Sequence, residues 1–355
     1  MVNDSKEKAP STKKRKKNKR KKMSLLNKVL ISLTFVCVFC ISILGGVFVY
    51  SYGLLDKIEQ VTLDKEDLST NSYVSKDNIK NIALFGVDST DNGEYGRSDS
   101  IMILTIDRVN DELKVSSIMR DSYVNIPNHN KDKINHAYAF GGPQLAIKTL
   151  NQNFNLDIQD FITVDFESFP KIIDALGGID LNITQDEIDA YININSHINH
   201  LNALNDTDVS YITTPGVQHV NGTQALAYAR IRYTDGGDAV RAERQRIVLD
   251  TLIEKLKETP VKQYGNILNE LLPLVKTSLS SNEILGVATN ILQVTDSPIR
   301  QTTFPLLEDS RDSMIGGIYY LTFDGTKTNE EIHSFIFEGN TDEENIDEAL
   351  ASSEK

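Results

Sequence analysis

Apolar positions along the chain change their spacing several times, and each change predicts an element. "NIALFGVDS" opens on a continuous apolar run, Ile82–Val87, of the kind a buried strand makes. "SIMILTIDR" and "LKVSSIMR" read as two further strands turned at "VNDE". In "HAYAFGGPQLAIKTLNQNF" the spacing lengthens to a helical period, and Gly141-Gly142-Pro143 predicts a break between two short helices. "FITVDF" is a strand, "ESFPKIIDALGGI" a helix closed by glycine, and "DLNIT" another strand. Asp238 caps a long amphipathic helix over roughly Ala239–Glu258. Two more helices, the strands "IRQTTFP" and "IYYLTF", and a closing helix in "TNEEIHSFIFEG" complete the pattern. Strands alternating with helices imply an α/β fold in which a central mixed β-sheet is covered by helices on both faces.

Upstream, the pattern is different in kind. Val29 to Leu55 contains no charged residue. As a helix it would be roughly 40 Å long, ample for a hydrocarbon core of roughly 30 Å. A cleaved signal peptide is the competing reading, but the run is too long for one and no A-x-A-like site follows. Residues 1–28 carry twelve Lys/Arg against two acids, a net of +10, which leaves −23 for the remainder of a chain whose total is −13. That asymmetry predicts a single-pass protein of the cell membrane, with its N-terminus in the cytoplasm and its large domain extracellular. The block "KKRKKNKRKK" could also serve nucleic acid or lipid headgroups; the anchor reading is preferred, and no nucleic-acid partner is expected. Both cysteines, Cys37 and Cys40, fall inside the apolar run, so no disulfide or cysteine-based zinc site is possible beyond it.

The chain therefore divides into a basic arm (1–28), a transmembrane helix (29–55), a polar juxtamembrane linker (56–80), one domain (81–340) and an acidic tail (341–355) expected to be disordered. No internal repeat and no composition break forces a second domain.

Two aspartates stand where α/β folds place their chemistry. Asp88 ends the strand of "FGVDS" and Asp99 in "GRSDS" precedes the next. Brought together at about 4 Å in an effective dielectric of about 20, they would repel by roughly 4 kcal/mol, calling for a shared proton or a cation. Oxygen-only ligation suits Mg²⁺ or Mn²⁺. The alternative, two independent turn caps, is equally compatible with their spacing. Arg120 and Asp121 in "MRDSYVNIP" end another strand, where a structural ion pair is the simpler reading.

"YARIRYTDGGDAVRAERQR" holds Arg230, Arg232, Arg241, Arg244 and Arg246, half of the ten arginines beyond the apolar run. Arg230 and Arg232, if extended, share a face, and Arg241, Arg244 and Gln245 share a face of the helix after Asp238. Arg246 lies elsewhere on that helix, as a solvated residue or a partner of Glu243. Cations near a helix N-terminus oppose its dipole unless an anion lies between. Guanidinium forks match phosphate oxygens, so the cluster points to a phosphate-bearing ligand over a surface salt-bridge network. No G-x-S-x-G, H-E-x-x-H or P-loop is present, and the paired histidines of "HINH" sit in an Asn-rich stretch expected to be a solvent-facing loop.

Between about Asn81 and Arg246 the chain resembles the LytR-CpsA-Psr (LCP) proteins of bacterial envelopes. "LFGVDS", "GRSDSIMILTID", "SIMRDSYVNIP", "KINHAYAFGG", "VDFESFPKIIDALGGID", "HVNGTQALAYARIR" and "GDAVRAERQR" occur in the family's order and spacing. The resemblance implies an enzyme that moves a glycopolymer from an undecaprenyl diphosphate carrier onto peptidoglycan. A polyisoprenyl diphosphate hydrolase and a non-catalytic envelope regulator of the LytR type are the alternatives. By motif, Arg120, Arg230, Arg232, Arg241 and Gln245 would grip the diphosphate with help from Arg97, Asp88 and Asp99 would hold magnesium, and Asp99 or else Asp121 would be the general base. The family threads the prenyl chain through an apolar tunnel, whose lining the residues alone do not separate from core.

Overall fold

A computed structural model describes residues 58–338, apart from 72–77, 89–94, 206–209, 233, 235–236, 261–262, 264–266, 268 and 294–297. The expected basic arm, membrane helix and acidic tail lie outside the described residues, as does part of the expected linker. Among the described residues no helix is long and apolar enough to cross a membrane.

Seven described strands form one mixed sheet in the order β1 (Glu59–Gln60), β10 (Lys276–Thr277), β7 (Asp160–Asp165), β2 (Ile79–Val87), β3 (Ser98–Asp107), β4 (Glu112–Ile118) and β11 (Arg300–Phe304). The pairs β2–β3, β3–β4 and β10–β7 are antiparallel, whereas β1–β10, β2–β7 and β4–β11 are parallel. The central strands bury both faces by alternation. On β3, Ile101 and Ile103 join one apolar cluster and Met102, Leu104 and Ile106 join the opposite one.

Helix α1 (His136–Phe154) and helix α8 (Gly325–Phe337) cover the first face through Ile147, Leu150, Phe154, Ile332 and Ile336. Helices α6 (Gly237–Glu258) and α7 (Ser281–Gln293) cover the second through Ile253 and Val287. A third cluster gathers α2 (Ser168–Ala175), β8 (Ile179–Ile183), α4 (Ile194–Asn205), β9 (Gly216–Val220) and α5 (Gly222–Arg230), and α6 reaches it with Val248. Between β8 and α4 lies the short α3 (Gln185–Asp189).

The expected helix break is a kink inside α1, where Gly141 and Gly142 leave helical geometry. Gly142 has φ of +61°, and a Cβ there would lie 2.6 Å from the Tyr95 ring, so both conformation and contact require glycine. The sequence reading lacked β1, which lies inside the expected linker, and β10, α3 and α5; three further features differ from it. The hairpin of β5 (Tyr123–Ile126) and β6 (Asn130–Lys133), strand β9, and β12 (Ser310–Ile315), which pairs with β13 (Ile318–Phe323), were not expected. Each carries a polar or broken pattern that only its partner strand stabilises. "HINH" belongs to α4, not to a loop, because Ile194, Ile198 and Leu201 bury one side of that stretch. Arg230 ends α5 and is not extended with Arg232; the chain leaves the helix only at Ile231.

Candidate active site

The register of β2 and β3 sets the first carboxylate. Gly86 pairs with Ser100 and Val87 with Ser98, so Asp99 is the extra residue of a bulge. A bulge re-aims its side chain out of the regular alternation. Asp88 follows β2, and its N–H donates to the Arg97 carbonyl at 3.2 Å. Gly96 packs directly on this turn: a Cβ there would lie 1.8 Å from the Asp88 carbonyl oxygen. Burial raises the pKa of Asp88, the charge of Asp99 adds to the effect, and Arg230, Arg120 and Arg97 offset part of it. The two aspartates therefore share a field.

Arg120 leaves the end of β4. Its Nη1 donates to Asp99 Oδ1 at 2.7 Å, and its Nε lies 3.4 Å from Asp238 Oδ2 and 3.6 Å from Asp121 Oδ2. Arg241, buried on the first turns of α6, donates from Nη2 to the Asp99 carbonyl at 3.1 Å and to Asp238 Oδ2 at 3.3 Å. Arg232, more exposed, places Nη2 4.0 Å from Asp99 Oδ2. Arg230 lies with its guanidinium 5.4 Å from the centre of the Phe166 ring. Lys133 on β6 donates to Asp121 Oδ1 at 2.6 Å.

This crowding of cations has electrostatic consequences. Burial, the largest influence on Asp99, would raise its pKa, but the charge and hydrogen bond of Arg120, with Arg241 and Arg232, hold it below the ordinary value. Arg241 is pushed down to about 10, first by burial; Asp238 opposes the shift, and the neighbouring charges of Arg120 and Arg232 add to it. His197 on α4 is pushed down to about 4 by burial, then by Arg230, Arg232 and His200. The Nε–H groups of Arg120 and Arg241 are buried and find no hydrogen-bond acceptor among the described residues. Such a cluster, short of anionic charge and holding unmatched donors, is arranged to receive an anion.

Two arginines of the same stretch do not join it. Arg244 is buried with Glu187, its Nε donating to Oε1 at 2.6 Å, while Nη1 and Nη2 bond the Ile231 carbonyl and Thr234 Oγ1. Arg246 is not solvated: its Nη1 donates to Ser117 Oγ at 3.0 Å and to Thr303 Oγ1, tying α6 to β4 and β11. The helical turn that brings Arg241 to the site points these two into packing.

Beside the cluster, an apolar cavity of about 320 Å³ opens between the sheet and α2, α5 and α6. Leu84, Met102, Ile162, Phe169 and Leu249 line it, and Arg230 and Gln245 stand on its polar side. The sequence alone did not separate these residues from the core.

Asp88 and Asp99 are the residues that could hold a hard divalent cation. Their donors are carboxylate oxygens, and the ionisation of Asp88 is opposed by Asp99. Among the described residues no third His, Cys, Asp or Glu completes a cluster. A cation held by two carboxylates and finished by water and phosphate oxygens is the usual arrangement for Mg²⁺.

Residues 47–334 match the LytR_cpsA_psr family. The chain belongs to that family. A Bacillus cereus relative named polyisoprenyl-teichoic acid–peptidoglycan teichoic acid transferase TagU is 32% identical over 291 residues, covering 79% of this chain and 85% of that protein. The crystal structure of B. subtilis TagT, 26% identical, superposes with a TM-score of 0.60 over 77% of this chain and 97% of that one. A structure of TagT bound to LIIa-WTA, 25% identical, gives 0.61 over 78% and 97%. Within this family fold, three neighbours of the arginines were not singled out from sequence as site residues. Asp238 stood as a helix cap, and Lys133 heads the motif "KINHAYAFGG" without standing out in it. His197 is the first histidine of "HINH", which was read as solvent-facing; the packing of α4 on α5 brings it to Arg230.

Proposed function

We propose that this chain is a phosphotransferase that moves a glycopolymer from a polyprenyl diphosphate carrier onto peptidoglycan. The observation that carries the reading is the gathering of Arg120, Arg232 and Arg241 around Asp99, with the buried Arg241 Nε–H lacking a hydrogen-bond acceptor among the described residues, beside an apolar cavity that Arg230 and Gln245 line. One ligand class supplies both an anion for the arginines and a long apolar tail for the cavity. The names of the relatives, teichoic acid transferases, support the same class.

In this reading the prenyl tail occupies the cavity and the diphosphate lies across Arg120, Arg230, Arg232 and Arg241, with Gln245 and Arg97 assisting. A hydroxyl oxygen of peptidoglycan attacks the phosphorus nearest the glycan, the bond from that phosphorus to the bridging oxygen breaks, and prenyl monophosphate leaves. The arginines stabilise charge that grows on the phosphoryl oxygens and restrain the diphosphate in line with the incoming hydroxyl. Asp88 and Asp99 would hold Mg²⁺ or Mn²⁺, which supplies further neutralisation of phosphoryl charge when bound. The depressed pKa of Asp99 suits cation ligation better than proton removal. Asp121, beside Arg120 and Lys133, then takes the proton of the attacking hydroxyl.

The uncharged stretch Val29–Leu55 and the basic arm before it support a single-pass anchor that holds this domain at the outer surface of the cell membrane, where such lipids are presented. Incubating the full chain in lipid nanodiscs with glycan-bearing undecaprenyl diphosphate and peptidoglycan tests the reading. The expected product is glycan joined to peptidoglycan by a phosphodiester. Free glycan phosphate as the sole product would make the protein a hydrolase, and no turnover with intact binding would make it a non-catalytic module.

A further inference from the structure

The contacts across the site run in a definite order, and the order leads away from the cavity. Arg230 and Gln245 stand on the cavity wall. Arg241, Asp99 and Arg120 come next, joined by the hydrogen bonds from both arginines to Asp99. Asp238 and Asp121 lie beyond them, within 3.6 Å of Arg120 Nε. From Asp121 the path continues through Lys133, whose Nζ lies 5.5 Å from the centre of the Tyr319 ring and 5.9 Å from that of Tyr320.

The hairpin that carries these tyrosines, β12–β13, is fastened to the site by its backbone. Leu321 N–H donates to the Asp121 carbonyl at 2.9 Å, and Ser122 bridges to Leu321. Tyr320 is buried against Tyr123, ring centres 4.7 Å apart, and donates to Asp132 Oδ1 at 3.2 Å. Tyr319, in contrast, is 39% exposed, and its hydroxyl donates to Asp312 Oδ1 at 2.7 Å. A half-exposed aromatic ring rigidly backed by a hairpin, with carboxylates along its edge, has the chemistry of a sugar platform. The ring covers the apolar C–H face of a pyranose, and Asp312, Asp121 and Asp238 offer acceptors for hydroxyl groups.

We propose that Tyr319 forms the subsite for the first sugar of the donor glycan, the one attached to the diphosphate. The inference rests on the phosphotransferase reading and adds to it the place where the saccharide lies. With the prenyl tail in the cavity and both phosphates over the arginines, the sugar leaves the second phosphorus on the side of Asp121 and Tyr319. The apolar tip beside Tyr319, with Met314 68% and Ile318 51% exposed, offers a rival use as a wedge into lipid. The order of contacts favours the sugar, because the prenyl-binding side of the site is the opposite one.

Binding of the full chain to two probes decides between them: undecaprenyl diphosphate, and undecaprenyl diphosphate N-acetylglucosamine. Tyr319→Ala should weaken binding of the glycosylated probe about tenfold, on the order of one lost aromatic contact, and change the bare diphosphate less than about twofold. Tyr319→Phe, which keeps the ring, should bind both nearly as wild type does. Equal losses on both probes, or no loss on either, would overturn the subsite. So would normal binding of the glycosylated probe with loss of a peptidoglycan disaccharide, or lost association with phosphatidylglycerol vesicles that carry no glycan. Wild-type protein that binds neither probe would instead remove the phosphotransferase reading, and the subsite with it.

Discussion

Arg244 Nε donates to Glu187 Oε1 at 2.6 Å, and both side chains are only 5% exposed. The other carboxylate oxygen of Glu187 accepts the Thr184 N–H at 2.8 Å in the capping box of α3. One buried acid therefore ties α6, which carries Arg241, to the segment that precedes α4. Removing one partner of such a pair strands the other charge in a dry interior. Arg244→Met should lower stability by about 3–5 kcal/mol, read from denaturant unfolding. Adding Glu187→Gln should recover part of that loss, because the stranded charge is gone while an acceptor for Thr184 remains. A single variant as stable as wild type would show that the pair contributes little.

Arg120 and Arg241 should be the most costly arginines for ligand binding, since both are desolvated before the ligand arrives. Each charge-assisted contact contributes about 1.5–3 kcal/mol, so alanine at either position should weaken binding of undecaprenyl diphosphate by about ten- to hundredfold. Lysine should restore only a fraction, lacking the planar fork. Titration calorimetry with the bare diphosphate lipid reads this directly. Wild-type affinity in both alanine variants would reduce the cluster to surface electrostatics.

Asp88 and Asp99 should behave oppositely toward pH and alike toward metal. The pKa of Asp88 is raised, so ionising it costs the folded state stability; the cost is absent below the unfolded pKa of about 3.9 and complete above the folded value. Asp88→Asn should accordingly raise the melting temperature of metal-free protein at neutral pH, with no gain in strong acid. The pKa of Asp99 is lowered, so its stabilisation is complete above about 3.9 and is lost as pH falls through the lower folded value. Asp99→Asn should destabilise at neutral pH and be neutral in strong acid. Mg²⁺ should raise the melting temperature of wild type and of neither variant, and chelation should silence glycan transfer. Full activity of both variants in chelator would remove the metal from the mechanism.

His197 should stay neutral down to about pH 4, well below the ordinary histidine value. The folded state then binds fewer protons than the unfolded state between about pH 6.5 and about 4, and stability falls across that window as pH decreases. His197→Gln should flatten the fall. An imidazole that titrates near pH 6.5 by NMR would place the ring away from Arg230 and Arg232. Phosphate bound over those arginines should raise its pKa by screening them.

The frame of this protein follows from its local pattern. Apolar runs such as Ile82–Val87 can satisfy their pattern only as buried strands, and Gly141-Gly142 can only break a helix, because these outcomes follow from local sterics and period. Charge distribution likewise pointed to the arginines of 230–246 as chemistry before any fold was drawn, whereas Asp88 and Asp99 stayed open between a cation site and turn caps and Arg120 entered only through the family resemblance. What the sequence left open was direction. Arg241 and Arg244 lie three residues apart on one helix, yet one meets Asp99 and the other Glu187. Arg246 leaves solvent for Ser117 and Thr303, His197 is delivered to Arg230 by α4, and Tyr319 reaches the site on a hairpin with little apolar alternation. Each of these depends on partners far away along the chain, and a side chain's environment is fixed by packing across elements, which local periodicity does not encode. Which charges meet is a matter of packing, set by the bulge at Asp99, the docking of α6 and the pairing of distant strands.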